Sequence, residues 1–108
     1  GLFFNPGNSA DVNTLIEQGS CIQPVTLIQY YRAMLTRPDR SNILTNSRVP
    51  VLFIIGRYDM AVPFHQSLEQ CHMPKYSHIH ILRNSAHMGM LEEPGRSNEI
   101  LANFLLNP

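Results

Sequence analysis

Two residues in this chain have the types and placement for acid–base chemistry. Asp59 follows one apolar, strand-like run, and His87 follows a second. They lie 28 positions apart, about one strand–helix–strand crossover. In open α/β sheets, reacting groups gather beyond the carboxyl ends of the strands. Adjacent parallel strands would therefore set both side chains over one rim. A carboxylate that accepts Nδ1–H of an imidazole fixes its tautomer and stabilises the imidazolium, leaving Nε2 as a base. A plainer reading stands beside this one: an Asp after a strand is often a turn former, and a lone His is often a packed or surface residue. Spacing alone leaves both open.

Other residues of chemical interest read more simply. His78 and His80 alternate along one run and share a face. Without Cys, Asp or Glu beside them at ligand spacing, they fit surface or packed histidines rather than a metal site. Cys71 falls on a helix end between Asp59 and His87 in chain order, which fits a buried, neutral thiol. Glu92 and Glu93 read as helix-start carboxylates favoured by the macrodipole. Met60 beside Asp59 and Met88 beside His87 are candidates for lining a substrate pocket. Met88, Met90 and Leu91 fit packing on the last helix equally well.

The elements that must position Asp59 and His87 are legible as an alternation. Residues 1–9 read as loop, broken at Pro6-Gly7. A short helix is expected from Asp11 to Gln18, stopped at Gly19. A second is expected from Pro24 to before Pro38, with Leu27, Ile28, Tyr31, Met34 and Leu35 at helical spacing. Asp39 to Asn42 offer capping residues for one or two turns through Ile43 and Leu44. Val49 to Ile55 is apolar and β-branched, as suits a strand covered on both faces in a parallel sheet. Pro63 opens a helix to Gln70 or Cys71, His78 to Leu82 form a second strand, and Arg96 to Leu105 the closing helix. The fold class is α/β. Two strands are too few for a self-sufficient parallel sheet, so the segment wants more sheet than it contains.

Composition narrows the function classes. The 108 residues carry eight basic and eight acidic side chains and are 44% hydrophobic. That balance is ordinary for a globular protein and lacks the basic footprint of a nucleic-acid or membrane-surface binder. The longest apolar run, Val49 to Ile55, is far short of a membrane span. Gly1-Leu2-Phe3-Phe4 lacks the basic region of a signal peptide, and a start without Met fits a chain whose beginning is missing. Two cysteines, Cys21 and Cys71, are too few for a disulfide framework. Free thiols and a cytoplasmic location are expected.

The run from Val49 through Gly56-Arg57-Tyr58-Asp59 to Pro63 resembles the late strand of the α/β-hydrolases: an apolar strand, Gly-x-x-Asp, and a Pro opening the next helix. Asn84-Ser85-Ala86-His87 through Glu92-Glu93-Pro94 is similar to the loop bearing that family's catalytic His, often followed by Glu-x-Pro. The closing helix, with Phe104-Leu105, resembles the family's last helix. The resemblance covers residues 24–106 and implies the C-terminal portion of an α/β-hydrolase fold. It implies Asp59 as triad acid and His87 as general base. Residues 1–41 would be the end of a helical cap insertion, and 42–108 the C-terminal part of the core.

The implied activity is hydrolysis of an ester, thioester or amide of a small molecule, without metal or organic cofactor. The chain departs from the family in lacking a Gly-x-Ser-x-Gly elbow. Its nearest look-alike, Gly7-Asn8-Ser9-Ala10-Asp11, is preceded by Asn5-Pro6, which interrupts any entering strand. The nucleophile and oxyanion hole are thus expected upstream of Gly1, and the chain alone is expected to be inert. The alternatives are a non-catalytic binding member of the fold and an unrelated small α/β interaction module.

Overall fold

A computed structural model of the chain describes residues 1–7 and 9–107. They form two compact units, one of residues 6–39 and one of residues 1–5 with 40–108. The first contains α1 (Ala10–Ser20) and α2 (Pro24–Leu35). Pro24 takes the first turn of α2, where its missing N–H leaves no bond unmade. α1 runs one residue past Gly19, the expected stop, and closes in tighter turns in which Cys21 and Ile22 donate to Gln18 and Gly19. The periodic apolar stripe of α2 is present, yet Leu27, Ile28, Tyr31, Met34 and Leu35 are all exposed. Helical periodicity shows which residues share a face; it does not supply a partner for that face.

The second unit holds α3 (Ser41–Thr45), β1 (Val51–Gly56), α4 (Phe64–Gln70), β2 (Ser77–Leu82), α5 (Gly89–Glu92) and α6 (Pro94–Leu106). β1 begins two residues later than the apolar run because Pro50 has no N–H for a ladder. Its first bond runs from Val51 N–H to Tyr76 O at 2.9 Å. α6 starts at Pro94 rather than Arg96, again with Pro in a first turn. The same proline pushes Glu93 out of helical geometry and so separates α6 from the short α5, which the sequence pattern does not announce.

β1 and β2 pair in parallel with Val51 opposite Ser77 and Gly56 opposite Leu82, so the two strands end level. Beyond that point the segments stay bonded: Arg57 N–H reaches Leu82 O at 2.9 Å, and Tyr58 N–H reaches Ser85 O at 3.0 Å. The core lies just under this rim, with Ile55, Leu82, Ala86 and Ile100 buried beside Cys71 and Ser97. Elsewhere the sheet is poorly covered. Ile54, Ile79 and Ile81 are exposed, whereas the sequence pattern had both faces of β1 buried. The difference is one of missing layers, since two strands with these helices cannot cover both faces.

Of the described glycines, Gly56 leaves the least room for a side chain. A Cβ there would meet Ala86 O at 1.8 Å and Ser85 O at 2.9 Å, and backbone cannot step aside as a flexible side chain would. Gly56→Ala is therefore expected to destabilise this unit by about 3 kcal/mol or more. Gly95→Ala, on the first turn of α6 with nothing within 4 Å, is expected to be neutral or stabilising by up to about 1 kcal/mol. Urea melts of both variants check the contrast; equal stabilities would remove the close approach from the account.

Candidate active site

Asp59 sits in the turn that leaves β1. Its Oδ1 accepts the N–H groups of Ala61 (2.8 Å) and Val62 (2.9 Å), the local bonding by which Asp shapes a turn. The turn-former reading is thus correct for one oxygen. The other, Oδ2, lies 2.9 Å from Nδ1 of His87. An ionised carboxylate only accepts, so the network assigns the proton to Nδ1. Desolvation, the largest single influence on Asp59, pushes its carboxyl up. The Val62 N–H, the His87 ring, the Ala61 N–H and the His87 charge together outweigh it and hold the group below its ordinary value.

The acid side chain is 11% exposed and the imidazole 39%. The carboxylate is sheltered and the imidazole is open to solvent. Among the described residues Nε2 has no hydrogen-bond partner.

His87 is held by more than the acid. Glu93 Oε2 accepts the Ser85 hydroxyl (2.6 Å) and the Asn84 N–H (3.0 Å). Glu92 Oε2 accepts the Ala86 N–H (2.8 Å), and its Oε1 accepts the Phe4 N–H (2.6 Å). Leu2 O in turn accepts the N–H groups of His87 (3.0 Å) and Met88 (3.1 Å). The Phe4 ring stacks on Tyr58, the residue before Asp59, with centroids 4.1 Å apart.

Glu92 and Glu93 do stand at helix starts, Glu92 in the single turn of α5 and Glu93 at the N-cap of α6, and both also bond donors outside those helices. Glu92 takes one donor from the loop that carries His87 and one from Phe4, and Glu93 takes two donors of that loop on its Oε2. Two carboxylates just past the histidine were the available signal. Residues 2–4, read as plain loop, supplied none.

A cavity of about 340 Å³ adjoins the pair, lined by Asp59, His87, Ile54, Val62, Leu82 and Met90 among others. Met60, 72% exposed, and Met88 are not part of its lining. Of the remaining residues, Cys71 is buried, burial pushes its thiol up, and its Sγ donates to Ser67 O, as fits a neutral thiol. Cys21 is free and exposed. His78 packs edge-on against Phe104, with centroids 5.2 Å apart. Among the described residues no group of three or more His, Cys, Asp or Glu could hold a metal ion. Ser9 precedes α1 in the 6–39 unit, and Asn8 of the look-alike pentad lies outside the described residues. No helix of the described residues is long and apolar enough to cross a membrane.

Comparison with protein-family models finds no match, and neither does comparison with curated proteins. Solved structures do match. A 2-hydroxy-6-oxo-6-phenylhexa-2,4-dienoate hydrolase from Rhodococcus sp. strain RHA1 is similar over 94% of this chain and 40% of its own, with TM-score 0.73 and 20% identity. An esterase from Exiguobacterium antarcticum is similar over 80% of this chain and 38% of its own (TM-score 0.63, 20% identity). A thermophilic esterase from Thermogutta terrifontis, with malate bound, is similar over 67% and 26% (TM-score 0.63, 22% identity). The chain thus spans between about a quarter and two fifths of the length of these structures. With its level parallel strands and flanking helices, the chain carries part of an α/β-hydrolase fold.

Proposed function

We propose that this chain is the C-terminal part of an α/β-hydrolase-type enzyme that hydrolyses an ester, thioester or amide without a cofactor. Asp59 is the acid and His87 the base of its triad. The observation that supports this best is the 2.9 Å contact between Asp59 Oδ2 and His87 Nδ1, on a carboxylate whose other oxygen is fixed by backbone. Nε2 then takes the proton of a nucleophile, contributed by the part of the enzyme upstream of Gly1, as that nucleophile attacks the substrate carbonyl. The imidazolium formed is stabilised by Asp59 and returns the proton to the leaving group. A water then repeats the sequence on the acyl-enzyme.

The rest of the hydrolase domain is the partner this reading requires. Exposed Ile54, Ile79 and Ile81 on a two-stranded sheet support it, as does the greater length of the similar structures. A cytoplasmic location belongs to the same proposal and is supported by the two free thiols.

In the intact enzyme, His87→Ala is expected to cut kcat/KM for a p-nitrophenyl ester by about 10⁴-fold or more with the fold retained. Turnover at the wild-type rate in that variant sinks the assignment, and a folded wild-type protein that turns over no ester, thioester or amide sinks the enzyme reading.

The acid can be tested without a substrate. Because the folded pKa of Asp59 lies below the unfolded value near 3.9, its ionised form favours the folded state above about pH 4. That contribution fades as pH falls through the lowered pKa. Asp59→Asn is therefore expected to be less stable than wild type near pH 7, with the gap closing in acid. A gap that stays constant from pH 7 to pH 2 contradicts the carboxylate's role.

A further inference from the structure

The Asp59–His87 contact joins two loops, and neither is fixed by that bond alone. His87 sits outside regular structure and its ring is 39% exposed. Its direction therefore depends on where the backbone of residues 84–88 is held. Glu93 holds the start of this loop through Asn84 and Ser85. The residues nearest the ring are held differently, by a closed circuit of hydrogen bonds. Glu92 takes the Ala86 N–H on one oxygen and the Phe4 N–H on the other. Two residues before Phe4, Leu2 O takes the N–H groups of His87 and Met88. Phe4 then lies flat on Tyr58, next to Asp59. A segment 88 positions away in sequence from Glu92 thus touches the base loop at its backbone and the acid loop at its neighbour.

We infer that Glu92 is a positioning residue. By bridging Ala86 to Phe4, it clamps the Leu2–Phe4 segment across the two loops and keeps Nδ1 of His87 on Asp59. The chemistry of the bridge is specific to a carboxylate. Each oxygen faces a backbone donor, and a charged acceptor makes roughly twice as strong a bond as a neutral one. A glutamine of the same shape offers one acceptor and an NH₂ group, so one of the two N–H donors must face another donor. The circuit then opens at Phe4 or at Ala86, and the ring is freed to swing. Only the effect on turnover rests on the hydrolase reading; the effect on the ring does not.

The test is Glu92→Gln in the intact protein, with Glu99→Gln as control, since Glu99 pairs with Arg96 on the exposed face of α6. Ring ¹⁵N shifts of His87 in alkaline buffer give the tautomer ratio. Wild type and Glu99→Gln are expected to show the Nδ1–H form, and Glu92→Gln a substantial Nε2–H population. Where the protein turns over ester, Glu92→Gln is expected to lower kcat about 10- to 100-fold with KM within about twofold, the signature of a misplaced reacting group.

A tautomer ratio in folded Glu92→Gln equal to that of wild type overturns the inference, whatever the turnover. A changed ratio in a protein that hydrolyses nothing supports the inference and defeats the hydrolase reading instead. Should Glu92→Gln not fold, amide exchange of the unaltered protein decides. Phe4 and Ala86 N–H groups protected together support the clamp, and a protected Ala86 beside a freely exchanging Phe4 overturns it.

Discussion

The site depends on one steric constraint: the tip of β1 must lie directly against the backbone that follows β2. At Gly56 the two segments come so close that a methyl group has no room, with Ala86 O where the Cβ would be. From that approach follow the bonds of Arg57 to Leu82 and Tyr58 to Ser85, which continue the pairing past the end of the sheet. The residues three beyond Gly56 and one beyond Ala86 are then brought over the same rim. A carboxylate and an imidazole meet there because the main chain that carries them is already in register.

The loops beyond that rim are fixed by polar bonds as well as by burial, since Ser85 and Ala86 before His87 are themselves buried. Among the described residues the buried large apolar side chains are Ile55 and Leu82 at the strand ends and Ile100 on α6. Beyond the strand ends, Asp59, Glu92 and Glu93 each use oxygens on backbone N–H groups of turns. Burial fixes where an element packs, but it is non-directional and leaves the rotation of an exposed loop open. Charge-assisted bonds to main-chain donors are short and directional, so they set that rotation. The same logic explains Asp59 itself, half of whose carboxylate is structural and half available to the imidazole.

These two kinds of constraint were unequally legible in the sequence. The apolar run through Ile55 and the alternation through Ile81 located both strands, and Pro24 and Pro63 located helix starts, because periodicity and proline chemistry are local. Strand ends plus a parallel crossover allowed the juxtaposition of Asp59 with His87 without deciding it, and the family resemblance of the two motifs was what favoured it. The bridge from Glu92 to Phe4 was not legible, since no local pattern joins residues at opposite ends of the chain. α5 escaped notice because a single turn is too short for a period to register. The covering of β1 on both faces was misjudged for a related reason: sequence pattern reports which faces are apolar, while covering them needs the further sheet that the strand count already called for.

The uncovered isoleucines of the sheet bear on the order in which such a protein matures. On the proposed reading, other strands of the domain precede β1 and β2 in sequence and would be made before them. Chains generally fold domain by domain from the N-terminus as they are made, so the late strands would dock onto a template rather than expose their unpaired edges to other molecules. The acid and base would arrive with them. On that reading, the contact between Asp59 and His87 would form only once both strands have docked, so it would be among the later features of the fold to be set in place.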